Sequence, residues 1–143
     1  MKQNLVTDVL SAILILLFVY TAINKIADMK NFQFVLGHMK GIRSITPFIA
    51  WSIPLTELFI SILLIIPSYK KAGFICSAVL LSIFTGYLFW MLLADQDLPC
   101  SCGGVLNFLT WKQHLVFNLV FIILSLIGYR IPNQKKHSRL LLQ

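Results

Sequence analysis

The chain has 143 residues, of which 58% are hydrophobic and only 12% charged, with a mean hydropathy of +0.84. A water-soluble domain of this length could not hide so much apolar surface, so lipid is the solvent for much of it. The net charge of +7 does not point to nucleic acid, because the basic residues fall in connections and tails between apolar runs, where Lys and Arg set topology and meet lipid headgroups.

Four stretches are long enough to cross a hydrocarbon core of about 30 Å at about 1.5 Å per residue. They run from Leu5 to Ile23, Pro47 to Ile66, Ala72 to Ala94 and Trp111 to Tyr129. The expected fold is all-α, a polytopic four-transmembrane-helix bundle over residues 1–131 with a basic cytoplasmic tail over 132–143. Lys2 ahead of an apolar segment resembles a signal peptide, but the segment is long for one. Tyr20-Thr21-Ala22-Ile23-Asn24-Lys25 also offers no clear small-residue cleavage site, so the segment reads as a retained first helix. The connection from Asn24 to Thr46 is long for a compact bundle. Within it Phe32, Phe34, Val35, Leu36 and Met39 are expected on one face of a short helix lying in the interface, with a plain ordered loop as the alternative.

The second span carries Glu57 near its middle, in Pro54-Leu55-Thr56-Glu57. An ionisable group there costs about 3 kcal/mol on insertion scales, so it should face the bundle and have a partner. Asn24, Lys25 and His114 are the candidates, and interhelical glue competes with a functional role. Pro54 is expected to kink the helix one turn earlier. Pro67-Ser68-Tyr69-Lys70-Lys71 reads as a tight turn into the third span. There Gly73, Cys76, Ser77 and Ala78 offer a small-residue surface for close helix approach, with Cys76 read as a small buried hydrophobe. Phe84, Tyr87, Phe89 and Trp90 form an aromatic band, read as packing and interfacial belt.

Between the third and fourth spans lies Pro99-Cys100-Ser101-Cys102-Gly103-Gly104. Two cysteines one residue apart can be joined by a disulfide only in a small, strained ring, and strain raises the reduction potential. Pro99 holds the chain extended, while Gly103 and Gly104 permit a tight turn and close access for an attacking sulfur. Asp95 and Asp97 would disfavour a thiolate, and the start of the fourth helix would favour one if the loop folds over it. The competing readings are an inert disulfide or two ordinary thiols, and a metal site with Cys100, Cys102 and His114, for which the loop supplies no obvious fourth ligand. No metal is expected.

The fourth span opens with Thr110-Trp111-Lys112-Gln113, in which Thr110 and Gln113 fit a capping box. His114 and Asn118 share one helix face just below the cysteine loop, with Trp111 one turn above His114. Trp111 and Lys112 also fit as interfacial anchors. His114 could satisfy a bundle partner, donate to a quinone carbonyl or move a proton during cysteine turnover. In a four-span topology Lys2, Lys70, Lys71, Arg130, Lys135, Lys136 and Arg139 fall on one side, and Lys25, Lys30, Lys40, Arg43 and Lys112 on the other. The first set is larger and closer to span ends, so both termini are expected in the cytoplasm and the cysteine pair outside.

Taken together, Asn24-Lys25, Pro54-x-x-Glu57, Cys100-Ser101-Cys102-Gly103-Gly104 and Trp111-x-x-His114-x-x-x-Asn118 resemble, in order and spacing, the MauE branch of the MauE/DoxX family of redox-associated four-helix membrane proteins. The resemblance implies residence in a bacterial cytoplasmic (inner) membrane and a role in thiol–disulfide traffic beside a thioredoxin-like partner, in the maturation of disulfide-containing proteins. Through the DoxX side it implies coupling to quinone. The chain is also similar to DsbB and vitamin K epoxide reductase, four-helix enzymes that couple cysteine pairs to quinone, but has Cys-x-Cys where they have Cys-x-x-Cys and lacks a second extracytoplasmic pair.

The leading expectation is therefore a thiol–disulfide oxidoreductase. Cys100 and Cys102 exchange with the partner, and a quinone is held near Glu57, Trp111, His114, Asn118 and Lys25. Against it stand a non-enzymatic membrane subunit or assembly factor, working in a homo- or hetero-oligomer, and a small transporter using Glu57 and His114.

Overall fold

A computed structural model describes residues 2–37, 44–93 and 111–131. These form helices α1 (Lys2–Ala27), α2 (Met29–Gly37), α3 (Thr46–Ile65), α4 (Lys70–Leu93) and α5 (Trp111–Arg130). Four of them, all but α2, are long and apolar enough to cross a membrane. A helix is the form such segments must take, since lipid offers no partner to a free backbone N–H or C=O.

The long helices close a ring in which α1 packs on α3, α3 on α4, α4 on α5 and α5 on α1, while α1 and α4 meet only narrowly across the diagonal. Each buries one stripe and leaves large apolar side chains such as Leu16, Phe48, Ile83 and Trp90 exposed on the outside. That distribution is inverted relative to a soluble bundle, and lipid accounts for it. The turn between α3 and α4 is tight, closed by the Tyr69 N–H donating to the Ile66 carbonyl at 3.0 Å. Lys70 Nζ reaches Asp8 Oδ1 at 2.6 Å and ties the start of α4 to the start of α1.

The first helix runs through Asn24 and Lys25 to Ala27, past the expected end at Ile23. Asn24 Nδ2 donates back to the Tyr20 carbonyl at 2.8 Å, and Lys25 finds an internal counter-ion, so neither needs to leave the bundle. Lys25 also lies in the last turn of α1, where the exposed carbonyl ends favour a cation. It is a buried charge and not the loop charge that the topology count took it for. The short helix expected after α1 is present as α2, but its covered face differs. Phe32 and Leu36, one turn apart, are buried with Met29 against Ile49, Ala50 and Ile53 of α3, whereas Phe34 is 60% exposed. At about 100° per residue Phe34 points away from Phe32 and Leu36, so the five residues cannot share one face. Met39 lies outside the described residues.

The ring divides lengthwise. Leu10, Leu14, Phe18, Ile60, Leu64, Phe74 and Leu81 form an apolar core in the half containing the start of α1 and α4. Two glycines set its spacing. A Cβ on Gly73 would lie 2.9 Å from Leu64 Cδ2, and one on Gly128 would run into the Phe74 ring. Gly128→Ala should therefore lower stability by about 1–3 kcal/mol through overpacking, read as a lower unfolding midpoint in detergent. An unchanged midpoint would mean that α4 and α5 are not packed this closely. Along the same stripe Ser77 and Ser125 are fully buried, and each satisfies its hydroxyl on the carbonyl four residues earlier. They permit close approach without acting as interhelical donors.

Candidate functional site

The other half of the ring is polar inside. The buried stripe of α1 ends in Thr21 and Lys25, that of α3 includes Glu57, and that of α5 begins with His114 and Asn118. Helical spacing of three and four residues puts each set on one inward face. Lys25 and Glu57 are each 5% exposed, His114 and Asn118 each 3%.

Lys25 Nζ donates to Glu57 Oε1 in a buried ion pair joining α1 to α3. Of the three candidate partners for Glu57, Lys25 is the one that binds it. Asn24 is turned to its own helix, and His114 makes no hydrogen bond to the carboxylate. The Thr21 hydroxyl also lies on the Glu57 side, while donating to the Phe18 carbonyl at 3.1 Å. Glu57 sits one turn beyond Pro54, which has no N–H to offer the Ala50 carbonyl; α3 nonetheless continues unbroken through it.

Aromatic rings surround the cation. Lys25 Nζ is 5.6 Å from the Phe84 ring centroid and 5.9 Å from that of Phe32, distances at which a ring face attracts a desolvated charge. Phe84 then meets the His114 imidazole edge-on, centroids 5.9 Å apart at 76°. On its other side the imidazole stacks on Phe117 at 6.4 Å and 9°. Phe84 thus contacts both the Lys25 cation and the His114 imidazole.

The polar atoms inside this ring of side chains are incompletely paired. Glu57 Oε2, both His114 nitrogens and Asn118 Nδ2 are buried without a hydrogen-bond partner. Each such atom costs about 1–3 kcal/mol relative to a satisfied one, so four in one region are costly unless something else binds them.

The structure therefore gathers four of the five expected cofactor-binding residues, Lys25, Glu57, His114 and Asn118, on three helices. The backbone of the fifth, Trp111, opens α5, and its side chain lies outside the described residues. So do Cys100, Cys102 and the proposed cap Thr110. Phe84 and Phe32 were missed as site residues, because an aromatic stripe on an apolar helix carries no signal separating lipid belt from site wall. Among the described residues no three His, Cys, Asp or Glu side chains gather as a set of metal ligands.

Over residues 3–131 the chain matches the family described as methylamine utilisation protein MauE. The chain belongs to the MauE family. No curated protein and no solved structure matches it. The match spans all five described helices, and with them the ion pair and the buried imidazole.

Proposed function

We propose that this MauE-family protein exchanges electrons between an extracytoplasmic thioredoxin-like protein and a membrane quinone, through Cys100 and Cys102, and so supports the maturation of disulfide-containing proteins. The observation that carries the reading is the set of four buried, unpartnered polar atoms on Glu57, His114 and Asn118, grouped around an ion pair inside an apolar bundle. A flat, lipid-soluble ring bearing oxygens on opposite edges suits such a set, with Phe84 as a wall.

The exchange balances as dithiol plus quinone giving disulfide plus quinol. The Cys100–Cys102 S–S bond forms, two electrons and two protons leave the thiols, and each quinone oxygen gains one proton. In the partner step a thiolate opens or closes the same S–S bond through a mixed disulfide. Connectivity supports the coupling: α4 ends and α5 begins at the polar end of the ring, and the two cysteines lie in the sequence between them.

The orientation follows from charge. With Lys25 neutralised inside the bundle, the count is Lys2, Lys70, Lys71, Arg130, Lys135, Lys136 and Arg139 against Lys30, Lys40, Arg43 and Lys112. The larger set marks the cytoplasmic side of the inner membrane, with both termini there.

Thiol trapping in intact cells tests the reading, using a membrane-impermeant mass-tagging maleimide on a Cys76→Ser variant. Two tags gained only after mild reduction are expected. Two tags without reduction would favour a docking loop in a non-enzymatic assembly factor or subunit. No tag in either condition would overturn the orientation.

A further inference from the structure

We infer that the Lys25–Glu57–His114–Asn118 cluster holds the reduced, hydroxyl-bearing form of its ring ligand more tightly than the oxidised form. This rests on the quinone reading above and adds a direction to it.

Glu57 Oε2, both His114 nitrogens and Asn118 Nδ2 are buried without a hydrogen-bond partner, and their donor and acceptor roles differ. A carboxylate engaged with an ammonium through Oε1 offers only acceptor capacity at Oε2. A neutral imidazole offers one N–H and one lone pair, whichever nitrogen carries the proton, and both His114 nitrogens are unpartnered. Asn118 Nδ2 is a donor. The cluster thus presents donors from His114 and Asn118 together with acceptors from Glu57 and His114. A quinone carries carbonyl oxygens, which only accept. It can use the donors, but it leaves Glu57 Oε2 and the imidazole lone pair buried and unpaired. A quinol hydroxyl accepts and donates at once, so its two hydroxyls can engage both kinds of atom.

Phe84 and Phe117 meet the imidazole at centroid distances of 5.9 and 6.4 Å and carry no polar atom that could tell the two forms apart. The polar atoms therefore make the distinction. One added hydrogen bond to a charged acceptor is worth about tenfold in affinity. A tenfold tighter hold on the reduced form raises the potential of the bound two-electron couple by about 30 mV. The site thereby biases the bound ring toward taking electrons from thiols.

The test is equilibrium binding of tritiated decyl benzoquinone and decyl naphthoquinone, each in oxidised and reduced form. The full chain carries Cys100→Ser and Cys102→Ser, so that it cannot turn the probe over, and sits in nanodiscs of phosphatidylethanolamine and phosphatidylglycerol. For at least one ring, the reduced form should bind about tenfold tighter. The preference should fall toward parity in Lys25→Met/Glu57→Leu, which removes the carboxylate acceptor without stranding the ammonium. Equal binding, or tighter binding of the oxidised form, overturns the inference and leaves the quinone reading standing. A preference that survives intact in the double variant also overturns it, because Glu57 would not be its source. Binding of neither form removes the inference and the quinone arm of the proposed function together. The ratio in the chain with native Lys25 and Glu57 decides the matter even if the double variant fails to fold.

Discussion

Lys25→Met alone should destabilise the bundle by about 3–5 kcal/mol, and Glu57→Leu alone by a similar amount. The double variant should recover most of that loss. Each single change leaves one charge at a position only 5% exposed, beside a half of the ring lined by apolar side chains. An isolated charge at the middle of a membrane helix costs about 3 kcal/mol on insertion scales. An ordinary interhelical hydrogen bond in a membrane is worth about 0.6 kcal/mol. The two magnitudes differ enough to decide between a coupled ion pair and simple glue. The measurement is a double-mutant cycle on unfolding in detergent. Singles that each cost less than about 1 kcal/mol and add in the double would sink the ion-pair account.

His114→Phe should do the opposite. It keeps an aromatic ring between Phe84 and Phe117 and removes two buried nitrogens that have no partner. The unliganded protein should hold its stability or gain up to about 2 kcal/mol, because the desolvation cost of those atoms disappears. The rate at which the cysteine pair returns to its steady redox state after a reducing pulse should fall at least tenfold, on the order of one to two lost hydrogen bonds to the ring. Asn118→Leu should follow the same pattern with a smaller fall. Stability comes from the unfolding midpoint, and the rate from maleimide tagging at timed intervals. A His114→Phe protein that is clearly less stable yet recovers its redox state at the normal rate would make the imidazole a structural residue.

The contrast between these two sites follows from their pairing. Lys25 and Glu57 neutralise each other through Oε1, so breaking the pair harms the fold, although Glu57 Oε2 stays unpartnered. His114 and Asn118 keep unpartnered atoms in the same interior, so removing them relieves the fold and harms what they bind. The hydroxyls of Ser61 and Thr85 are spent on carbonyls of their own helices.

Much of this protein could be read along the chain. The spans follow from apolar length, because a backbone in lipid must satisfy itself and a helix is the local way to do so. The need of Glu57 for a partner follows from the cost of a charge at mid-span, and the inward pairing of His114 with Asn118 from helical spacing. On α5 the shared face of His114 and Asn118 was readable from spacing, whereas Ser125 and Gly128 on the inner face were not singled out.

What the chain order could not give is which residues meet. Lys25 and Glu57 are 32 residues apart; Lys25 was one of three candidate partners and was also counted with the loop cations, and the continuation of α1 past it decides between the two. Phe32 was expected on an interfacial helix and lies 5.9 Å from that cation, and Phe84, read as packing and interfacial belt, contacts both the cation and the imidazole. Local energetics, the cost of bare backbone and bare charge in lipid, determined from sequence that there are four spans and that a polar group must be answered. The choice of answering group depends on which helices neighbour one another in the ring and on the rotation of each about its axis. Those are set by packing at Gly73, Gly128 and the ion pair itself, and only the tertiary structure decided them.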